Sequence, residues 1–131
     1  MNKRNAKNYV YVCPHCFNKV DECKCLVLPW ELIQIDKKIW PSIKILNSKW
    51  YHTEMCCEGH IQDTQRPFMY IMFKKNYKFK SVPEGFENLK GSIRANITGK
   101  SEDAKKRKQR ILLKALYDWA CELESSRSEI L

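Results

Sequence analysis

The most regular pattern of apolar and polar positions in the chain lies near its C-terminus. Ser101 can cap a helix there, Glu102 and Asp103 fill its first turn, and apolar residues recur at helical spacing. The pattern predicts a helix over residues 102–124 whose apolar stripe, Trp119 included, faces the core. That stripe comprises Ala104, Ile111, Leu112, Ala115, Leu116, Trp119 and Leu123.

Strand-like patterns occur in five other segments: residues 9–12, 31–35, 51–57, 68–73 and 92–98. In the last of these, three apolar residues alternate with Arg94, Asn96 and Thr98, which predicts a half-buried strand with a polar outer face. The segment FMYIMF at 68–73 is apolar throughout, which predicts a strand buried on both faces and paired with 51–57. The polar stretch 62–67 between them is expected to be a surface loop.

A second, shorter helix is predicted around residues 39–47, where Ile39, Trp40, Ile43 and Leu46 recur at helical spacing. Asp36 is a candidate N-cap, although Pro41 favours a helix that begins near Trp40, and Trp40 is expected in the core. The order of elements predicts an α+β fold: a small mixed or antiparallel sheet covered by two helices, with an N-terminal zinc knuckle. The predicted divisions are a basic arm and zinc knuckle at 1–28 and an α+β domain at 29–131 that ends in a long basic amphipathic helix.

Length and composition set limits on the class of protein. A chain of 131 residues with 44% hydrophobic residues is expected to fold as a globular unit. No stretch approaches the roughly 20 apolar residues that span a bilayer, and the beginning MNKRNAKN has no apolar run, so we expect a cytoplasmic protein with no membrane partner. If the protein is phage-encoded, we expect it in the cytoplasm of the host cell. In a reducing compartment, seven cysteines indicate metal binding more than disulfides.

A compact zinc site is predicted from four closely spaced cysteines: Cys13, Cys16, Cys23 and Cys25. The first two form a C-x-x-C turn stiffened by Pro14, and the last two form a C-x-C pair. Because C-x-C is the less common spacing, His15 or Cys56 remains an alternative for one ligand. Four thiolates close the zinc coordination shell, so the expected Zn²⁺ is structural.

The net charge of +9 favours a polyanionic partner, with solubility as the alternative explanation. A dense cationic run lies in the first half of the C-terminal helix: Lys105, Lys106, Arg107, Lys108 and Arg110. A second group of cations is interleaved with Phe73, Tyr77 and Phe79: Lys74, Lys75, Lys78, Lys80, Arg94 and Lys100. Rings for stacking and cations for phosphates suit single-stranded RNA or DNA, whereas a solvated helix face is the simpler alternative. Basic and aromatic residues around the cysteines could serve the same partner: Tyr9, Tyr11, Phe17, Lys19 and Lys24.

The segment CCEGH at residues 56–60 brings thiol, carboxylate, imidazole and glycine together at the end of a predicted strand. Cys57 and His60 could form a nucleophile and base, and Cys56 or Cys57 could bind a second metal. Gly59 could let backbone amides approach a phosphate. The simplest alternative is a packed cysteine followed by a turn that His60 caps.

The run ILNSKWYHTEMCCEGHI at residues 45–61, followed by FMYIMF, resembles small proteins of low-GC Gram-positive bacteria and their phages, most of them without an assigned activity. Those proteins have a cysteine knuckle ahead of the same helix, strand and CC-x-GH segment. More distantly, T-x-x-C-C-x-G-H-I is similar to the T-x-x-x-C-S-G-R-I strand of the tRNA methyltransferases of wybutosine synthesis. That similarity implies a ligand cleft at Thr53, Cys57, Gly59 and His60, but this chain has Glu58 and His60 where the family has Ser and Arg.

The leading hypothesis is a non-enzymatic, zinc-stabilised binding protein of phage or mobile-element type. Its expected partner is RNA, DNA or a host nucleic-acid enzyme, and one concrete version is an anti-CRISPR inhibitor of a defence nuclease. The alternative is an RNA-modifying enzyme, tRNA methyltransferase-like, that uses the CCEGH cleft. A third hypothesis is an adaptor that binds proteins only.

Overall fold

The computed structural model describes residues 8–62 and 64–126, and within them the chain forms two antiparallel sheets and two α-helices. The α+β prediction is therefore confirmed. A two-stranded sheet pairs β1 (Tyr9–Val12) with β2 (Ile33–Asp36), with Tyr9 opposite Asp36. The four-stranded sheet has the order β3-β4-β6-β5 and is built from β3 (Thr53–Cys57), β4 (Phe68–Phe73), β5 (Glu87–Leu89) and β6 (Ser92–Asn96). The helices are α1 (Trp40–Ser48) and α2 (Glu102–Glu122).

One hydrophobic core joins these elements. Met69, Ile71 and Ile93 from the four-stranded sheet belong to the same buried cluster as Leu112 and Leu116 from α2. The cluster also includes apolar residues of α1, β2, β1 and the turn that follows β1. Segments on both sides of residue 28 therefore contribute to a single core. Neither helix within residues 8–62 and 64–126 has the length and apolar content needed to cross a membrane.

The long helix α2 begins where the sequence pattern predicts, since the Ser101 hydroxyl accepts a hydrogen bond from the Ala104 backbone N–H at 3.1 Å. Its buried side differs from the predicted stripe. Ile111 is 63% exposed, whereas Gln109 is buried in the stripe. The helix ends at Glu122 rather than at residue 124.

The end of α2 is capped from the neighbouring helix. The Lys49 ammonium donates to the backbone carbonyls of Ala120, Cys121 and Leu123 at 2.8, 2.6 and 2.6 Å. A cation at a helix C-terminus satisfies carbonyls that lack an intrahelical partner and opposes the negative end of the helix dipole. Lys49 therefore fixes α2 to the end of α1.

Several predicted boundaries shift in the structure. Asp36 does not cap α1; it is the last residue of β2, and α1 starts at Trp40 without a side-chain cap and with Pro41 in its first turn. The strand expected at 31–35 becomes a 3-10 turn followed by β2, and the short strand β5 was not predicted. The strand expected at 92–98 ends at Asn96, although its alternation of buried and exposed residues is as predicted.

Candidate metal centre and nucleic-acid interface

The four cysteines of residues 13–25, called here the cysteine knuckle, converge on one point. Their sulfur atoms all lie within 4.8 Å of one another, and the Sγ atoms of Cys16 and Cys23 are 3.6 Å apart. Zinc–sulfur bonds of about 2.3 Å at a tetrahedral angle would place two sulfurs about 3.8 Å apart. The cysteines are therefore close enough to hold a metal ion, and the arrangement is compatible with zinc. His15 and Cys56, the alternative ligands, are not part of the group.

Backbone hydrogen bonds shape the first half of the knuckle into a tight turn. The Cys13 N–H donates to the Asn18 carbonyl at 3.0 Å, and the Phe17 N–H donates to the Cys13 carbonyl at 2.9 Å. Phe17 adopts a left-handed backbone conformation with φ at 60°, which costs a residue with a Cβ about 1–2 kcal/mol. Its buried ring and a 2.9 Å hydrogen bond from the Trp40 indole N–H to its carbonyl offset that strain. The turn is thereby attached to α1.

Without a bound cation, the pKa values of the knuckle thiols Cys13 and Cys25 differ widely. Burial raises the pKa of Cys13, but backbone N–H groups of Cys16 and His15, together with neighbouring thiols, outweigh it and bring the pKa to about 7. The hydrogen bond with Cys23 then raises the pKa of Cys25 to about 12, and the other thiols of the group add to this effect. Four thiolates at this spacing therefore require a cation to offset their repulsion.

The CCEGH segment lies beside Asp36, which the sequence analysis treated as a candidate N-cap of the shorter helix. Asp36 at the end of β2, Cys57 at the end of β3 and His60 offer ligand atoms that all lie within 4.8 Å of one another. His60 Nε2 is 3.3 Å from Asp36 Oδ2, and the Glu58 backbone N–H donates to that same oxygen at 3.0 Å. The Gly59 N–H donates to Cys57 Sγ at 3.4 Å. Asp36, Cys57 and His60 are called here the Asp36–Cys57–His60 group.

A buried glutamine holds the CCEGH segment against α2. The Gln109 amide donates to the carbonyls of Glu58 and Gly59 at 3.0 and 2.8 Å, and its own oxygen accepts from Lys38 Nζ at 3.4 Å. The buried Glu58 carboxylate accepts the Lys38 backbone N–H at 2.8 Å. The segment is therefore bound to α2 through Gln109 and to residues 36–38 through Asp36 and Lys38. Gln109 is a site residue that the sequence pattern did not reveal.

The thiols of this segment are not activated as nucleophiles. Burial raises the pKa of Cys56 to about 12, and the charge of Asp36 adds to it. Burial also raises the pKa of Cys57; the Gly59 backbone N–H opposes this effect, and the charges of Asp36 and Glu58 add to it. A nucleophilic cysteine needs the opposite shift. The remaining predicted cleft residue, Thr53, is buried beside Asn47, and its hydroxyl accepts the Asn47 amide at 2.9 Å.

The predicted basic residues occupy separate parts of the surface. On α2, Lys106, Arg107 and Arg110 are exposed, while Lys105 and Lys108 are half-buried. Lys105 Nζ donates to the Gln65 carbonyl at 3.1 Å, in the loop just before β4. Exposed cations also follow the other end of β4: Lys74 and Lys75.

The rings expected to stack on bases are instead part of the core. Phe73 is buried, and Tyr77 and Phe79 are half-buried in a cluster with Tyr51 and Trp119, with the Phe79 and Trp119 ring centroids 5.0 Å apart. Phe73, Tyr77 and Phe79 therefore pack in or against the core instead of forming an exposed stacking surface. The prediction that Trp119 lies in the core is confirmed.

Different rings face outward from the sheet. Along β4, Met69, Ile71 and Phe73 point into the core, so the strand is buried on one face rather than on both. The opposite side presents partly exposed apolar residues together with an exposed cation, and is called here the outer face. It comprises Phe68, Tyr70, Met72 and Arg94.

The outer face combines aromatic rings with positive charge. The Phe68 and Tyr70 ring centroids are 5.6 Å apart, and the Arg94 guanidinium carbon lies 3.8 Å from the Phe68 ring centroid. Met72 is 40% exposed, and Met55 beside it on β3 is 55% exposed. An antiparallel sheet that leaves such a face open to solvent offers a surface for a partner.

Comparison of the sequence with protein-family models, curated proteins and solved structures finds no match. Three features of the described residues can be related to function: the cysteine knuckle, the Asp36–Cys57–His60 group and the outer face.

Proposed function

We propose that this protein is a zinc-stabilised, non-enzymatic protein that binds single-stranded nucleic acid on the outer face of its four-stranded sheet. The observation that carries the proposal is the pair of neighbouring rings on β4, Phe68 and Tyr70, with Arg94 from β6 beside them. Contact of partly buried aromatic rings with water is energetically unfavourable. A partner that stacks on them would remove that cost.

Bases of a single strand suit this surface better than a duplex does. Unpaired bases can stack on successive rings, and base–aromatic stacking contributes about 1–3 kcal/mol per base. Phe68 and Tyr70 stand two residues apart on one strand and so project from the same face. The Arg94 guanidinium can stack on a ring and neutralise a phosphate at the same time.

The charge around β4 fits a polyanion that runs along the strand. Lys74 and Lys75 follow one end of β4, and Lys105 reaches the loop before the other end through Gln65. The net charge of +9 also favours a polyanionic partner. Counterion release from phosphates would make binding depend strongly on salt.

The cysteine knuckle serves structure in this proposal. Four thiolates around zinc leave no coordination position for a substrate, so the ion would hold the N-terminal segment in shape. A host nucleic-acid enzyme is the alternative partner, and an inhibitor of a defence nuclease of the anti-CRISPR type would be that version.

The test is the affinity of fluorescently labelled single-stranded RNA and DNA for variants of the outer face. We expect Phe68→Leu and Tyr70→Leu each to weaken binding about 10-fold or more, because each removes one stacking ring. Tyr117→Leu is the matched control, since Tyr117 is an exposed ring on α2, away from the outer face. Fluorescence anisotropy at fixed low salt measures all three.

Two outcomes would overturn the proposal. One is a wild-type protein that binds neither oligonucleotide, which would leave the outer face to a protein partner such as a host nuclease. The other is equal loss of affinity in Tyr117→Leu and Tyr70→Leu, which would place the nucleic acid elsewhere, with the basic run of α2 as the next surface to vary.

A further inference from the structure

We propose that Asp36, Cys57 and His60 form a second metal site, separate from the cysteine knuckle, that binds one divalent transition-metal ion of the zinc type and keeps one coordination position open. This site goes beyond nucleic-acid binding and stands whether or not the outer face binds a single strand. Its three ligand atoms come from β2, from β3 and from the turn after β3, and all lie within 4.8 Å of one another.

The spacing of the ligand atoms is compatible with a shared metal ion. His60 Nε2 and Asp36 Oδ2 are 3.3 Å apart. Metal–nitrogen and metal–oxygen bonds of about 2.0–2.1 Å at a tetrahedral angle place the two atoms about 3.3 Å apart. A direct N–H···O hydrogen bond prefers about 2.9–3.0 Å. The 3.3 Å separation is therefore compatible with an ion shared by the two atoms as well as with a direct ion pair.

Neighbouring groups hold the ligands in place. Asp36 Oδ2 accepts the Glu58 N–H, Cys57 Sγ accepts the Gly59 N–H, and Gln109 fixes the Glu58 and Gly59 carbonyls. Contacts of this kind orient metal ligands before the ion arrives and raise affinity. These hydrogen bonds hold a buried Asp36 and the half-buried Cys57 and His60 in place, unlike a chance cluster of surface side chains.

The local charge also favours a cation. Asp36 at the end of β2 and Glu58 just after β3 are both buried carboxylates, and the Glu58 backbone N–H donates to Asp36 Oδ2. Within residues 8–62 and 64–126, no Lys or Arg forms an ion pair with either of them, and the contact of Asp36 with His60 is the single ion pair at this site. Buried charge is costly unless it is paired. A divalent ion would add positive charge beside both carboxylates.

The ligand types define the class of metal. Thiolate and imidazole select zinc or cobalt over magnesium and calcium, which prefer oxygen ligands throughout. Three protein ligands leave a fourth position for water or for an oxygen of a bound anion. Cys57 pairs with Tyr70 in the sheet register, so an ion here would lie beside the outer face.

The experiment is metal stoichiometry on the full chain after stripping and reloading with zinc. We expect two ions per chain in the wild type and one in His60→Gln and in Cys57→Ser. His52→Gln and Cys121→Ser are matched controls, since neither residue belongs to a metal-capable group among the described residues, and both should keep two ions. Two ions retained in both His60→Gln and Cys57→Ser, or one ion in the wild type, would overturn the second site.

A cobalt titration of the wild type keeps the proposal testable even if the variants fold poorly. A four-thiolate site and a one-thiolate site give cobalt complexes with different thiolate charge-transfer intensities, so filling two sites produces two phases. A single phase of four-thiolate intensity, saturating at one equivalent, would overturn the proposal. Both outcomes are independent of oligonucleotide binding, which is measured separately.

Discussion

The two groups of metal-capable residues are built in opposite ways. The cysteine knuckle takes all its candidate ligands from residues 13–25, whereas the Asp36–Cys57–His60 group needs β2 and β3 to lie side by side. The first is a product of local spacing and the second of tertiary structure. The first half of the knuckle is attached to the core through Phe17 and the Trp40 hydrogen bond, whereas its second half depends on its own turns. The tertiary group lies between elements that share the core.

Burial shows the same contrast. The second half of the knuckle and the linker after it are exposed, including Val20, Leu26 and Trp30. Around the other group, Asp36, Glu58 and Gln109 are all buried. Metal should therefore be a condition for folding at the knuckle and an addition to a folded frame at the Asp36–Cys57–His60 group. Three changes break or sharpen this contrast.

The largest effect is expected from Cys16→Ser, which removes one thiolate from the knuckle. Zinc binding contributes about 10–16 kcal/mol to the folding of small zinc-finger peptides, so residues 13–28 should lose their structure. The four-stranded sheet and α2 should persist, because their shared core includes Met69, Leu112 and Leu116. Hydrogen exchange resolved by segment measures both regions.

Cys121→Ser is the control for this change, since it removes an exposed thiol that belongs to neither metal-capable group among the described residues. It should leave exchange unchanged everywhere. Equal protection of residues 13–28 in Cys16→Ser and in the wild type would show that the knuckle folds without its ligand set, and the contrast between the two groups would then disappear.

A smaller effect, confined to the other group, is expected from Gly59→Ala. Gly59 has φ at 88°, and an added Cβ would lie 2.3 Å from Ile97 Cδ1 and 3.2 Å from the Phe68 carbonyl oxygen. Backbone strain of about 1–2 kcal/mol and overpacking of about 1–3 kcal/mol should together lower the free energy of unfolding. Denaturant unfolding measures the loss, and zinc content should fall to the knuckle's single ion.

Gly91→Ala separates the two causes. Gly91 has a similar φ of 79°, but an added Cβ would meet nothing within 4 Å. It should therefore show the backbone strain alone and keep both metals. If Gly59→Ala were no more destabilising than Gly91→Ala, the close packing of the CCEGH turn against β4 and Ile97 would not matter for stability.

Local patterns made much of the fold predictable. The alternation around Ile93 and Ala95, the Ser101 cap and the spacing of the knuckle cysteines all act over a few residues, and the structure has them as expected. Nonlocal features were missed. Asp36 has the residue type of a helix cap, and only the pairing of strands and the approach of β2 to β3 make it a neighbour of His60.

The strand FMYIMF shows a second limit of sequence reasoning. An unbroken apolar run predicts burial on both faces, yet Phe68, Tyr70 and Met72 face outward. A hydrophobic residue type indicates that burial is favourable, but it does not indicate whether the chain itself or a partner buries the side chain. The half-buried rings of the outer face therefore lie within a pattern typical of a core strand, and the buried Gln109 lies within a pattern typical of a solvated helix.

The smallest expected effect concerns the single hydrogen bond from the Trp40 indole, which ties the knuckle to α1. The Trp40 indole N–H donates to the Phe17 carbonyl at 2.9 Å, and Lys19 and Lys44 lie over the ring. Trp40→Phe keeps a ring there and removes the donor, which should lower the free energy of unfolding by about 1 kcal/mol. Trp30→Phe, at a highly exposed position, is the control and should change little.

If the knuckle is the locally built, weakly supported region, Trp40→Phe should also speed zinc transfer from it to a chelator, since the turn loses its attachment to α1. Equal transfer rates in the two variants would mean that the metal alone sets the knuckle's stability, and that the contrast with the tertiary group is sharper than the structure indicates.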